Sequence, residues 1–509
     1  MKTAEKVKIE KWAVTVMLIL GALFYFIPGE WVSMQEDSLP YLEERGRQGI
    51  LPGYPAFLDF FRSLMGEESF LNGVVIAQSL LAIACTFLFV LILQKQFRLR
   101  GWECILLYLA AMLPFSIYLP ESGITHQIMT EGITYALFYL YFIAVLKTVW
   151  TLKMRWYAGS VLMAYILGLI RSQMLFLQAI GLLLLLWIVF RRCQGSFFKK
   201  TLLLGMTAAA GVVIAFGSYK LIYATVAFDN ARILEKAQES DTADVKGSTI
   251  LVTEEEATET FYISQVTKEK VPAQFDTVIV SRGFFEADRE DVALFEDEMM
   301  QQIFLKTYEL ADENECLHHH LKPGLYMWED LVHDQMSAFV DQAVTEFDEA
   351  NPGVRTRSYA SIVRELGLRV LFRHFGRFLY HGIRLMLPSF IATVFFQIRP
   401  IYLLCHFIAL FIYLFAILGC VWIRKCHGER SIIEFVMSTV LTMVVMVVIL
   451  NLVFIGIQRY VVYGMGIFYC SMYLLIKEIY LIVRGKKESS ICRKGIKDFR
   501  TGKVAKKND

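Results

Sequence analysis

The feature that most constrains this chain is a series of long apolar runs separated by short charged loops. A membrane-spanning helix needs about 20 consecutive apolar residues, and several runs in this 509-residue, 56% hydrophobic chain approach or exceed that length. Lipid offers no water to backbone N–H and C=O groups, so such runs cross the bilayer as helices. The pattern predicts an all-α polytopic membrane protein with about ten transmembrane helices and one extracytoplasmic mixed α/β segment.

The predicted spans include a tight helical hairpin that turns near Arg171, in a run that is too long for one span. The spans cover about residues 12–27, 73–94, 102–119, 132–149, both arms of 156–190, 201–226, 400–423, 431–455 and 460–483. No internal repeat or pair of broken helices of the kind found in transporters is visible, which disfavours a transporter.

The basic residues of the short loops predict the orientation of the chain. When the spans are threaded in order, every short loop rich in Lys and Arg falls on the same side as both termini, as the positive-inside rule requires. Both termini are therefore expected in the cytoplasm, with the protein in the plasma membrane as an uncleaved multi-pass chain. Membrane lipids are expected partners, and nucleic acid is not.

The layout divides the chain into five parts. They are an N-terminal transmembrane module with outer catalytic loops (1–226), an extracytoplasmic soluble domain (227–360), an amphipathic interfacial helix with the apolar segment after it (361–398), a C-terminal transmembrane module (399–483) and a basic cytoplasmic tail (484–509). For the apolar segment after the interfacial helix, the sequence leaves open whether it is re-entrant. In the soluble domain, STILV and FDTVIV indicate strands, and DVALFEDEMMQQIF indicates an acidic helix.

The interfacial helix is predicted from an arginine repeat. Arg369, Arg373 and Arg377 recur every four residues with apolar residues between them, so they share one face of a helix. Such a helix lies along a membrane surface with its arginines near lipid phosphates. The alternative is an amphipathic helix that packs on the soluble domain.

Two carboxylates stand beside predicted spans on the outer side. Asp37, in the stretch EWVSMQEDSLPY, comes a few residues after the first span, where a membrane enzyme would hold a general base or a metal ligand. Glu131 opens the fourth span. An acidic solvated loop is the alternative interpretation of Asp37, and a helix-capping role that of Glu131.

Two arginines also lie at predicted turns on the outer side. Arg171 interrupts a long apolar stretch, and Arg459-Tyr460 lies on the short outer turn between the last two spans. An arginine at the membrane is expensive unless it is paired, and it can bind phosphate through two parallel hydrogen bonds. Interfacial snorkelling is the alternative for each. Together, carboxylates and arginines from four turns favour transfer from a phosphate-activated lipid donor.

The order of these motifs resembles a known family. EDSLPY after the first span, a downstream YPAF, TEG before the fourth span, an arginine after the fifth and RY before the last are similar to the GT-C glycosyltransferases. The branch is the polyprenyl-phosphate-sugar-dependent one, which includes protein O-mannosyltransferases and aminoarabinose transferases. The resemblance covers about residues 10–225 and 400–483. Two features depart from it: the order Glu36-Asp37 where many members have Asp-Glu, and the outer domain between spans seven and eight.

The resemblance implies a GT-C-like fold and a role for each matched residue. Asp37 is the catalytic base or a metal-site carboxylate, Glu131 is the second-loop carboxylate, and Arg459 with Tyr460 contacts the donor phosphate together with Arg171. A divalent metal, Mg or Mn, would lie at Asp37 and Glu131.

The expected function is therefore inverting transfer of a sugar from a polyprenyl-phosphate donor to a glycan, lipid or protein acceptor on the outer face. The alternatives are a lipid-linked oligosaccharide flippase or exporter, and a surface polysaccharide polymerase or ligase. The run His318-His319-His320 is interpreted as a solvated loop, because consecutive residues do not share one helical face.

Overall fold

The computed structural model describes residues 10–27, 31–34, 38–42, 51–118, 123–192, 205–206, 209, 217, 274–320, 327–394, 402–453 and 461–500. Numbered in chain order, the helices are α1 (Lys11–Phe26), α2 (Leu39–Leu42), α3 (Gly53–Met65), α4 (Phe70–Phe97), α5 (Gly101–Tyr118), α6 (Thr130–Thr151), α7 (Met154–Ile170), α8 (Phe176–Arg192), α9 (Gln274–Phe284), α10 (Glu298–Glu313), α11 (Met327–Ala350), α12 (Tyr359–Arg373), α13 (Phe375–Ala392), α14 (Tyr402–Lys425), α15 (Arg430–Val453) and α16 (Met465–Arg500).

Five described helical segments are long and apolar enough to cross a membrane: Phe70–Phe97, Thr130–Thr151, Phe407–Lys425, Arg430–Asn451 and Val462–Gly485. Four shorter apolar helices lie where four more spans were predicted: Lys11–Phe26, Gly101–Pro114, Met154–Ile170 and Phe176–Arg191. The remaining predicted span, residues 201–226, lies outside the described residues apart from four positions. The described part of the chain is consistent with an all-α membrane protein.

Helix α6 is the centre of the transmembrane bundle. In its apolar 18-residue stretch, 83% of the residues are buried inside the protein. The corresponding share in the other four long segments is 33–50%. The hydroxyls of Tyr135 and Tyr139 each donate to the carbonyl of Ala111 on α5 at 2.9 Å. On α16, a Cβ at Gly466 would meet that same carbonyl oxygen at 2.5 Å, so glycine permits the close approach of α5 and α16.

The predicted break at Arg171 is confirmed. Helix α7 ends at Ile170, and Arg171 has an extended backbone with φ −147° and ψ 119°. A 3-10 helix over Ser172–Leu175 follows before α8 begins at Phe176. Helices α7 and α8 then pack against each other. Since α6 and α7 are also packed together, this break lies at the end of the bundle where α6 begins.

A second hydrophobic core lies in α9 to α12, which together with the first turns of α13 we call the helical domain. It contains Val280 and Phe284 of α9 and Ile362, Leu366 and Val370 of α12, all fully buried. The spacing of these residues by three or four places them on one face of each helix. Residues on both sides of the predicted boundary at residue 360 contribute to this core, and the division of the chain into five parts stays a prediction.

The strand predicted over FDTVIV is wrong, because these residues lie in α9. Helix α9 packs closely against α12, and the two helices cross at Gly283 and Gly367. A Cβ on Gly367 would meet the backbone nitrogen and Cα of Val280 at 2.7 Å, so only glycine permits this approach. The other predicted strand, STILV, lies outside the described residues, and no strand occurs among those that are described. The acidic helix predicted over DVALFEDEMMQQIF is confirmed from Glu298 onward in α10, while its first residues belong to a 3-10 helix over Arg289–Leu294.

Helix α13 connects the helical domain to the bundle. Its Ser389 hydroxyl donates to the Asn451 side chain on α15 at 3.1 Å, while the buried Arg282 of α9 donates to the Asn451 carbonyl at 2.7 Å. Residues 386–392, within the predicted re-entrant segment, continue α13 as helix, and residues 395–397 lie outside the described residues. The helical domain is thus anchored at the C-terminal end of α15.

Candidate functional site

Two loops meet at the end of the bundle where α6 begins, which we call the Glu131 end. The Ser33 N–H donates to the His126 carbonyl at 2.9 Å, and the Ile128 N–H donates to the Ser33 carbonyl at 3.1 Å. These bonds form an isolated parallel bridge between Ser33 and Gln127. The loop after α1 is therefore fixed beside the loop before α6. Asp37 follows Ser33 closely in the sequence but lies outside the described residues.

Buried polar side chains hold the second of these loops in place. Gln78, from the middle of an apolar run on α4, donates to the carbonyls of Thr125 and Gln127 at 2.8 and 3.2 Å. The ring of His126 lies 2.7 Å from the Tyr25 carbonyl through Nε2. Buried amide and imidazole groups of this kind are retained only when they are hydrogen-bonded. The geometry of the loop is therefore determined from inside the bundle.

The centre of the site is an ion pair between Glu131 and Arg171. The distance from Glu131 Oε2 to Arg171 Nη1 is 2.6 Å, and the side chains are 3% and 7% exposed. Arg171 also donates through Nη1 to Thr130 Oγ1 at 2.8 Å and through Nε to Gln173 Oε1 at 2.6 Å. The structure thus joins a carboxylate and an arginine that the sequence predicted separately.

This arrangement disfavours snorkelling for Arg171 and identifies a partner of Glu131. Arg171 is buried against protein groups, so its guanidinium does not extend to the interface as snorkelling requires. The Glu131 carboxylate points to Arg171 and accepts from Thr130 at 3.0 Å. Helix α6 has no side-chain cap hydrogen bond at its N-cap residue Met129. Glu131 is thus an acidic residue in the first turn whose main partner is Arg171.

A third element, α3, is packed beside this pair. A Cβ at Gly53 would meet the Leu169 carbonyl at 2.7 Å, so α3 starts directly against the last turn of α7. The fully buried Tyr54 donates its hydroxyl to Gln78 Oε1 at 3.1 Å. Burial raises the pKa of Tyr54 well above its ordinary value, and Tyr41 and Glu131 add to the rise. The phenol is therefore protonated and fixed as a donor.

The turn before the last helix also reaches this end. The Arg171 guanidinium carbon lies 6.0 Å from the ring centroid of Tyr463, and the segment Val462–Gly464 is buried. Arg459 and Tyr460 precede it in the sequence but lie outside the described residues. Their role as donor-phosphate ligands stays a prediction.

Among the described residues, Glu131 belongs to no group of side chains with the spacing of metal ligands. In the described part of the chain, two groups of His, Asp and Glu side chains have that spacing, and both lie in the helical domain: Asp312 with His319 and His320, and Asp288 with Asp291 and His374. Since Asp37 lies outside the described residues, a metal shared by Asp37 and Glu131 stays a prediction. The histidine run was predicted as a solvated loop, but it forms a partly buried 3-10 helix.

The three arginines predicted to face lipid phosphates are divided between two helices, since α12 ends at Arg373 and α13 begins at Phe375. Arg369 pairs with Glu365 at 2.7 Å, and Arg377 pairs with Asp288 at 2.7 Å. Arg373 is exposed. These contacts favour the alternative in which the helix packs on the soluble domain, while the contact with lipid phosphate stays a prediction.

Sequence reasoning did not single out several residues of the site. Gln78 bonds to the loop before α6, and Gln173 and Tyr463 lie against Arg171, whereas Thr130 and Tyr54 belong to the TEG and YPAF motifs already noted. One signal was available for Gln78, because an amide in an otherwise apolar span must have a hydrogen-bond partner. Comparison of the chain with family models, with curated proteins and with solved structures finds no match.

Proposed function

We propose that the chain is a membrane glycosyltransferase that transfers a sugar, with inversion, from a polyprenyl-phosphate donor to a hydroxyl acceptor. The observation that supports this proposal is the meeting of four chain segments at the Glu131 end. The loop after α1 pairs with the loop before α6, Glu131 at the start of α6 pairs with Arg171 at the α7–α8 break, and Arg171 lies beside Tyr463 at the start of the last helical segment. Each of these segments carries, or lies next to in the sequence, one of the residues assigned to the chemistry.

The reaction requires three events at this end: removal of a proton, cleavage of a bond and stabilisation of the leaving phosphate. The acceptor hydroxyl attacks the anomeric carbon from the face opposite the phosphate, and Asp37 takes the proton of the hydroxyl. The bond between the anomeric carbon and the phosphate oxygen breaks, and the phosphate leaves with the electron pair. Arg459, Tyr460 and Arg171 hold that phosphate and stabilise its negative charge. A Mg or Mn ion, if bound at Asp37, would neutralise phosphate charge.

Glu131 is assigned a positioning role in place of the role of a second base. Its carboxylate is buried and already accepts from Arg171 and Thr130, so it holds the guanidinium in one orientation. Because the carboxylate also offsets the Arg171 charge, Arg171 acts on the phosphate mainly through directed N–H groups, and Arg459 adds positive charge.

The placement of charge favours an enzyme over a flippase or exporter. In the described part of the bundle, the buried charged side chains lie at its two ends. One set is Glu131 with Arg171, and the other is Glu103, which pairs with Lys477 at 2.5 Å. A transporter of a charged lipid-linked glycan would place such groups along the path through the membrane.

The test is sugar transfer by purified full-length protein from a panel of polyprenyl-phosphate sugars, with the neighbouring Glu36→Gln as the matched control. Asp37→Asn keeps the size of the side chain and removes its basicity, so turnover should fall about 10²–10⁴-fold. Glu36→Gln should retain most of the activity.

Equal turnover by wild type and Asp37→Asn would remove the base assignment. If wild type transfers no sugar from any donor but moves a labelled lipid-linked glycan across a vesicle membrane, the chain is a flippase.

A further inference from the structure

The helical domain contains a cluster of metal-ligand side chains that the proposed glycosyl transfer does not use. Asp312 is in the last turn of α10, and His319 and His320 lie on the 3-10 helix that follows. Nε2 of His319 is 2.8 Å from Asp312 Oδ1, and Nε2 of His320 is 2.7 Å from the same oxygen. Two imidazole nitrogens therefore converge on one carboxylate oxygen.

The backbone holds the two histidines in this position. After α10, Glu315 adopts φ 56° and reverses the chain, and the Cys316 N–H donates to the Ala311 carbonyl at 2.8 Å. The His318 N–H then donates to the Phe285 carbonyl at 2.9 Å. Cys316 and Leu317 are buried in the core of the helical domain. The ligands are thus carried by an anchored turn.

We propose that Asp312, His319 and His320 form a binding site for a divalent transition metal ion, with zinc as the best match. Imidazole and carboxylate together suit zinc and its neighbours in the first transition row better than they suit magnesium or calcium. Three protein ligands leave a coordination position for water or an external ligand.

The dimensions of the cluster are close to those of such a site. Two ligands of a tetrahedral zinc ion lie about 3.3 Å apart, because each is about 2.0–2.1 Å from the metal. The His-to-Asp separations need to widen by roughly half an ångström to reach that spacing. The side chains of His319, His320 and Asp312 are 41%, 32% and 43% exposed, so they have room to move.

The second cluster with ligand spacing is a poor metal site for a physical reason. Arg377 Nη2 lies 2.7 Å from Asp288 and 2.5 Å from His374 Nδ1, and Asp291 accepts the backbone N–H of Asp288 at 2.8 Å. A metal ion there would have to displace a guanidinium. This cluster therefore serves as an internal comparison for the one at Asp312.

The experiment measures binding of ZnCl₂ alone to the full-length protein in detergent, purified with a tag that contains no histidine. Equilibrium dialysis should find a saturable site that Asp312→Asn weakens at least about tenfold, since removing even an outer-shell partner costs about 10–100-fold. His320→Gln should weaken it likewise. Glu313→Gln removes an exposed neighbouring carboxylate, and His374→Gln alters the second cluster. Neither should change the affinity.

Thermal unfolding supplies an independent measurement, because a ligand that binds the folded state raises the unfolding midpoint. Zinc should raise the midpoint of wild type and of Glu313→Gln, but not that of Asp312→Asn. Absence of zinc binding by wild type would overturn the proposal. So would unchanged affinity in Asp312→Asn, which keeps all three histidines and would show that the run binds zinc without a built site. Sugar transfer takes no part in either measurement.

Discussion

Arg171 in the bundle and Arg377 in the helical domain meet carboxylates at similar distances, but in different surroundings. Arg171 is 7% exposed and pairs with Glu131 at 2.6 Å. Arg377 is 27% exposed and pairs with Asp288 at 2.7 Å, with Glu286 farther away at 3.8 Å. A buried charge depends on its partner because water cannot replace it, whereas a partly exposed charge is supported by solvent.

The helical-domain cluster also spreads its charge over more groups. Arg377 is within hydrogen-bond reach of His374 and contacts His318. Burial and the Arg377 charge lower the pKa of His318 to about 4, so that ring is neutral beside the guanidinium. Loss of one member leaves the others in contact. We therefore expect single substitutions to be severe in the bundle and mild in the helical domain.

The largest expected effect is from Glu131→Gln. It leaves Arg171 buried without its carboxylate, and breaking a buried pair in this way costs about 3–5 kcal/mol of unfolding free energy. Asp288→Asn, on the partly exposed pair, should cost about 1 kcal/mol or less. Thermal or denaturant unfolding in detergent measures both.

A double variant separates charge from shape at this site. Arg171→Met in the Glu131→Gln background removes the orphaned charge, so it should recover much of the lost stability without restoring sugar transfer. If Glu131→Gln is no less stable than Asp288→Asn, the distinction drawn between the two arginines fails.

A smaller effect is expected when each arginine is replaced by lysine. Arg171 uses Nη1 toward Glu131 and Thr130 and Nε toward Gln173, and one ammonium group cannot reproduce that fork. Arg171→Lys should reduce transfer from the lipid donor at least about tenfold, as loss of a directed transition-state donor does. Arg377→Lys should transfer at the wild-type rate. Equal activity of the two variants would remove Arg171 from the site.

The smallest expected effect concerns acid stability. The hydrogen bond from Arg377 lowers the pKa of Asp288, and the Arg377 charge acts in the same direction. The folded chain then binds fewer protons at Asp288 than the unfolded chain does. This contribution to stability is present above the ordinary pKa of 3.8 and is lost as the pH falls through the lowered value.

Asp288→Asn should therefore have a flatter pH dependence of the unfolding midpoint than wild type between about pH 5 and about pH 3. The measurement is a series of thermal scans in detergent across that range. Parallel curves for the two proteins would show that Asp288 is not stabilised as its contacts indicate.

The sequence alone predicted the apolar helices that the described residues contain and the place where the long run breaks. A run of apolar residues must satisfy its backbone internally when no water is present, so length and composition are enough to predict a helix. The break at Arg171 followed from the same reasoning, since a charged group in lipid is expensive wherever it falls. These are local or solvent-level constraints, and they do not depend on which helix packs beside which.

Only the tertiary structure decided which groups are partners. Glu131 and Arg171 are forty residues apart, and their pairing depends on the packing of α6 against α7. Asp312 and the histidine run are close in the chain, yet their convergence required a left-handed residue and an anchored turn. FDTVIV has the composition of a strand but packs as a helix, because α12 covers one side of it at Gly367. At FDTVIV, packing against a distant helix overrides local preference, and hydropathy carries no information about it.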